Sequence, residues 1–223
     1  PSAQAGRMRV LDLLLPPACA GCGRFGHLVC RDCVTGFRAA SAPDDRFMAA
    51  DPGTTVGDAL ELAMAAFVHA GTLRRALQRL KYGGSGRIAV PLARAAAPAL
   101  EALTLVCGPL PLVPVPVHLA RRRQRGYNQA ALLADALATE AGLRVCDILE
   151  RRRATARQHG LGKAARLHNL RGAFALRDGA RTPPGVILVD DILTTSATLE
   201  SCARVLRDAG AAAVYGFAIA REV

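Results

Sequence analysis

The sequence predicts an α/β protein: a parallel sheet flanked by helices, with a small four-cysteine module ahead of it. Three observations carry this reading. From Val56 onward, strand-like and helix-like patterns alternate, the signature of βα units. Val186-Ile187-Leu188-Val189 is apolar without alternation, as a central strand covered on both faces must be. Near the start, Cys19, Cys22, Cys30 and Cys33 form two Cys-x2-Cys pairs. The predicted division is a front part, residues 1–55, and an α/β domain, residues 56–223.

In the front part, Val10 to Leu15 reads as a short helix stopped by Pro16-Pro17. Each Cys-x2-Cys puts two thiolates on one tight turn, and two such turns complete the tetrahedron that Zn2+ prefers. Gly21 and Gly23 let the backbone fold back around the ion. A pair of disulfides or a redox dithiol would use the same residues. The first needs an oxidising compartment, and the second needs only one Cys-x2-Cys. With four Cys ligands no coordination position is open for water, so a zinc ion here is expected to be structural. Cys107, Cys146 and Cys202 stand alone in apolar surroundings and read as small buried hydrophobes. Ala39 to Thr55 is small, polar and Pro-containing, a linker.

In the body, Leu62–His69 reads as a strand. Leu73, Ala76, Leu77 and Leu80 mark one face of a helix ending at Tyr82-Gly83-Gly84. A second helix covers about Arg87 to Leu103, and Leu112–His118 is β-rich but interrupted by two prolines. Asn128–Ala141 is helical, with Gly142 as its stop. Val145–Leu149, Ala173–Leu176 and Val186–Val189 are short apolar runs, Leu199–Ala209 is helical, and Val214–Ala220 is a last strand.

The net charge is +11, from 29 Lys and Arg against 18 Asp and Glu. Such a surplus favours an anionic partner, phosphate or nucleic acid. Only two of the cations are lysines, Lys81 and Lys163. Aromatics are 4% with no Trp, which supplies a base-stacking platform poorly. The longest uncharged stretch, Ala102 to Val117, carries four prolines and is no membrane span. No basic segment followed by an apolar one opens the sequence, so a cytoplasmic location is expected.

The most informative stretch is Val186 to Thr198 with the helix after it. Asp190 and Asp191 follow the buried run, at the strand end where open α/β sheets bind ligands. Thr194, Thr195, Ser196 and Thr198 then lead into a helix whose free N–H groups suit a phosphate. A capped helix with solvated aspartates would need one hydroxyl, and here there are four. No Walker loop G-x-x-x-x-G-K-[ST] and no G-x-G-x-x-G after a strand is present.

VILVDDILTTSATLESCARVLRDAGA resembles the phosphoribosyl pyrophosphate (PRPP) loop of type I phosphoribosyltransferases. LKYGG at Leu80–Gly84, VPVPVHLARRRQRGYNQAALLADALA at Val113–Ala138 and TARQHGLGKAARLHNLRGAF at Thr155–Phe174 are similar to successive blocks of the ComF family. The four-Cys module resembles the zinc-binding segment of that family. The resemblance implies a type I phosphoribosyltransferase-like sheet. It implies that Asp190 and Asp191 bind the ribose diol, and that Thr194, Thr195, Ser196, Ala197 and Thr198 hold the 5′-phosphate. It makes Val115 and Pro116 part of a pyrophosphate loop shared with Mg2+, with Arg125 close by. Ser196 stands where the family pattern has Gly; if the position needs φ > 0, Ser is strained there. His69 stands where relatives often have Tyr. A mobile loop carrying Gln158, Lys163 and Arg166 would close over PRPP and neutralise departing pyrophosphate.

Two functions follow. One is phosphoribosyl transfer with release of pyrophosphate. The other is a non-catalytic accessory in DNA uptake, regulated by PRPP or a nucleotide and touching single-stranded DNA or DNA-uptake proteins. A homodimer is compatible with either. A third reading, a plain zinc-ribbon nucleic-acid binder, leaves the acid pair and phosphate loop without a role.

Overall fold

The computed structural model describes residues 16–40, 59–153, 172–194 and 196–222. Within them a four-stranded parallel sheet runs in the order β1-β6-β5-β2: β1 is Leu62–Val68, β2 Leu112–Pro114, β5 Gly185–Leu193 and β6 Ala213–Arg221. The register sets Leu62 beside Tyr215, Val186 beside Val214 and Leu112 beside Ile187. Val145 adds one parallel bridge outside β2, opposite Leu112. The expected α/β class, a parallel sheet flanked by helices behind a Cys cluster, is the one observed.

Helices cover both faces. On one lie α2 (Gly71–Tyr82), α3 (Ala89–Cys107, entered through a 3-10 turn at Gly86–Ile88) and α5 (Gln129–Ala141). Their Leu77, Leu92, Leu100 and Leu133 pack with Ile187, Val189, Phe217 and Ile219 of the sheet. On the other lies α6 (Ala197–Asp208), whose Leu199, Cys202 and Leu206 pack against Val186, Leu188 and Val214. Alternate residues of β5 thus feed opposite cores, which is why its apolar run shows no alternation. Gly86–Cys107 is long and apolar enough to cross a membrane by composition alone, yet Leu92, Ala96, Leu100 and Leu103 are fully buried in the core.

Helix ends obey local chemistry. Asn128 caps α5, its Oδ1 accepting from the Ala130 N–H at 3.1 Å, and Gly142 ends it at φ 67°, left-handed as expected. The front module holds a one-turn helix, α1 (Arg31–Thr35), and bridges β1 through Ala39 and Phe67. Its polar ties run to α2: Arg75 Nε donates to Gly21 O at 2.6 Å, and Arg79 Nη1 to Cys19 O at 2.8 Å. Cys19, Cys30 and Cys33 belong to the same buried cluster as Leu73 and Leu77.

Four details go beyond or differ from what the sequence patterns give. The strand at Leu112–His118 ends at Pro114, because Pro116 has no N–H for a ladder. β5 runs on through both acids to Leu193 instead of stopping at Val189. The Arg run after His118 forms a helix, α4 (Leu119–Arg125), capped by His118 Nδ1 accepting from the Ala120 N–H and ended by Gly126 at φ 82°. The runs near Leu149 and Phe174 make a separate antiparallel pair, β3 (Leu149–Arg151) and β4 (Phe174–Leu176), not further strands of the parallel sheet. The predicted helix at Val10–Leu15 and most of the linker lie outside the described residues.

Candidate functional sites

The four front cysteines converge. Their sulfurs all lie within 4.8 Å of one another, with Cys19 and Cys33 Sγ 3.7 Å apart and Cys22 and Cys30 Sγ 3.6 Å apart. Ligands about 2.3 Å from a tetrahedral zinc ion stand about 3.8 Å apart, so the set fits such an ion. Burial alone would raise the Cys19 thiol, but the N–H groups of Cys30 and Gly21 point at its sulfur from 3.2 and 3.4 Å. Together with Cys22 they bring it down to about 6. The cluster can bind a metal such as zinc. None of the histidines among the described residues joins it.

The second site stands at the carboxyl ends of β2 and β5. Pro114 pairs beside Val189, and the Val115 N–H donates to Val189 O at 2.9 Å, so the chain at Val115-Pro116 runs alongside the acid pair. Asp190 and Asp191 start from opposite faces of the strand. Asp190 turns back so that its Oδ1 accepts from the Asp191 N–H at 2.8 Å. Burial, then the Asp191 charge, push the Asp190 carboxyl well above the usual carboxylate range. Asp191 is buried and forms an ion pair with Lys81, whose Nζ, from the last turn of α2, sits 2.5 Å from its Oδ2; that oxygen accepts no hydrogen bond among the described residues.

After β5 the chain turns through Thr194, which is exposed, to Ser196, which is buried at the N-cap of α6. Ser196 has φ 56° and ψ −6°, the one positive φ of a non-glycine among the described residues. Its Oγ is buried without a partner there. The position therefore does require the left-handed region, and serine is strained in it. Ala197 and Thr198 open the helix. Thr195 lies outside the described residues, as do Gln158, Lys163 and Arg166 of the expected closing loop.

Arg125 ends α4 and lies over the Tyr82 ring, 4.9 Å from its centroid, while its Nη1 donates to Gln129 Oε1 at 2.8 Å. Tyr127 Oη donates to Leu80 O at 2.5 Å, and Asn128 Nδ2 donates to Val115 O at 3.0 Å. This turn thus ties the end of α2 to the chain after β2. Beside it is a cavity of about 220 Å3, lined in part by Pro116, Val117, Arg122, Tyr127 and Arg177. His69 follows β1, with Nδ1 3.7 Å from Glu222 Oε1. Burial first, with Lys81 and Arg74 behind it, lowers its pKa against the pull of Glu222.

Residue type and spacing give Lys81 only a modest claim on the site; the structure brings it onto Asp191. They give Arg151 no individual role. That side chain interacts electrostatically with Asp190, while burial and Arg121 lower its pKa. The Lys81 partnership has no sequence signal, because α2 and β5 are more than a hundred residues apart.

No family model matches the chain. It is 35% identical over 116 residues to competence protein F of Haemophilus influenzae, covering 51% of each chain. It is 34% identical over 151 residues to the DNA utilization protein YhgH of Salmonella typhi, covering 66% of each. Competence protein ComFC of Streptococcus pneumoniae is 33% identical over 109 residues, 49% of this chain and 47% of that protein. The chain thus spans about half the length of most curated relatives it matches, and 66% of one.

Proposed function

Because this chain belongs to the ComF family of proteins linked to competence and DNA uptake, we propose that it binds Mg–PRPP and transfers phosphoribosyl groups with release of pyrophosphate. The observation that carries this is the run from the acid pair of β5, through the left-handed Ser196, into the N-terminus of α6. The carboxyls of Asp190 and Asp191 accept the ribose 2′- and 3′-hydroxyls. The free N–H groups at the start of α6, with the hydroxyls of Thr194, Thr195, Ser196 and Thr198, take the 5′-phosphate. Pyrophosphate takes the backbone at Val115 and Pro116, with Arg125 as a cation for its charge. The donor set suits a hard cation, since carboxylate and carbonyl oxygens are what Mg2+ accepts. Mg2+, when bound with PRPP, neutralises charge on the pyrophosphate oxygens. Lys163 and Arg166 stabilise the charge that develops there as C1′ is attacked. The cysteine cluster holds structural Zn2+.

A second reading is favoured by the relatives' names and by α4, whose Arg122 and Arg123 carry charge at the surface. In it the chain is a cytoplasmic accessory that touches single-stranded DNA or DNA-uptake proteins, with PRPP as a regulator. A pyrophosphate-release assay across nucleobases separates the two. Release with one base supports the transferase; PRPP binding without release for any base supports the accessory.

A further inference from the structure

We propose that the outward face of α2 binds a single DNA strand, with one base stacked on Tyr82 and phosphates on Arg75 and Arg79; this rests on the second reading above. Leu73, Ala76, Leu77 and Leu80 bury one face of the helix. The same spacing shifted by two residues gives Arg75, Gln78, Arg79 and Tyr82, which is the opposite face, and all four are exposed. With Gly83 they line one cleft of about 490 Å3. The cysteine module abuts this face through Arg75 and Arg79, which hold the carbonyls of Gly21 and Cys19. At the Tyr82 end, Arg125 of α4 lies 4.9 Å from the ring centroid.

The chemistry of the face selects the partner. Neither α2 nor α4 contains an Asp or Glu, and no carboxylate lines the cleft, so its charge is of one sign. A solvated arginine must give up rotamer freedom to meet a phosphate. Arg75 and Arg79 are already fixed by carbonyls 2.6 and 2.8 Å away, and each guanidinium has five N–H donors, more than those bonds use. Two ordered cations would suit any polyanion, and Tyr82 narrows the choice. Its ring is 58% exposed beside a guanidinium, an arrangement on which a base stacks. Stacking needs an unpaired base, which favours a single strand over a duplex. One ring serves one base, so a chain poor in aromatics can still supply it. Arg125 belongs to the same helix as Arg122 and Arg123, so the α2 face and the α4 arginines stand on adjoining elements.

The test is fluorescence anisotropy of the full chain with a labelled oligothymidine strand, its duplex with oligodeoxyadenosine, and polyglutamate, each across a salt series. Wild type should bind the single strand most tightly, and less so as salt rises. Tyr82→Ala should weaken the single strand roughly fivefold to a hundredfold, the loss of one stacked base. Tyr82→Phe should keep most of the affinity, because the ring and not the hydroxyl stacks. Gln78→Lys should tighten binding at low salt and steepen the plot of log affinity against log salt by about 0.7. That gain is one a misfolded variant cannot produce. Unchanged single-strand binding in Tyr82→Ala or in Gln78→Lys overturns the assignment, and a loss confined to Arg122→Ser/Arg123→Ser leaves the second reading standing without it. Equal affinity for the duplex, or polyglutamate binding that falls as much with Tyr82→Ala, overturns the choice of a DNA strand. A wild type that binds no single strand at low salt refutes the second reading itself.

Discussion

Ser196 and Asp190 each trade stability for a site. Left-handed backbone costs a non-glycine residue about 1–2 kcal/mol, and glycine gives back about 0.5–1 kcal/mol through its freer unfolded chain. Ser196 Oγ makes no bond among the described residues that its removal would break. Ser196→Gly should therefore stabilise the ligand-free protein by roughly 0.5–1 kcal/mol in denaturant unfolding, and Ser196→Val should destabilise it. Asp190 is held with a raised carboxyl pKa by burial and by Asp191. Its contribution to stability is complete below the ordinary carboxylate range and is lost as pH rises through the raised value. Asp190→Asn should accordingly raise Tm at pH 8 and leave it nearly unchanged at pH 4. A variant no more stable than wild type at pH 8 would show that the Asp190 charge is not strained.

At the scale of elements, α2 serves two sites at once. One face is packed into the core. Its Arg75 and Arg79 hold the carbonyls of Gly21 and Cys19, and its last turn carries Lys81. Arg79→Ala should loosen the cysteine module and speed metal loss to a chelator, whereas Cys19→Ser should abolish tight metal binding outright, read by metal analysis of the purified protein. In α4, Arg122 and Arg123 should meet phosphates of a single strand. Replacing both by Ser should flatten the plot of log affinity against log salt by about 0.7 for each phosphate that is no longer neutralised. The elements that could be read in advance are those whose signal is local. The Leu73–Leu80 spacing, Asn128 and Gly142 around α5, and the double Cys-x2-Cys each state their own geometry. The helical state of Leu119–Arg125 is hidden because its run of polar and basic residues presents no apolar face, and its cap is an unconventional histidine. The length of β5 is hidden because aspartates are poor strand formers, and only pairing to β6 carries the strand through them. The Lys81–Asp191 contact depends on packing between distant segments and leaves no trace in spacing.

At the scale of the molecule, the cysteine module and the sheet share a core, since Cys19, Cys30 and Cys33 lie in one buried cluster with α2, α3 and the sheet. Stripping the metal should therefore lower the single cooperative Tm of the chain instead of detaching a separate unit; two well-separated transitions would contradict this. The charge of +11 then biases the molecule toward anions, while the β5–α6 junction selects among them. That selection is the central claim, and calorimetry of PRPP with Mg2+ on the wild type and on Asp190→Asn/Asp191→Asn tests it most directly. Wild type should bind. The double variant, with its shape kept and two charged acceptors gone, should bind two to four powers of ten more weakly, at roughly 1.5–3 kcal/mol per charged hydrogen bond. Equal affinity in the two proteins, or a wild type that ignores PRPP, would contradict the claim.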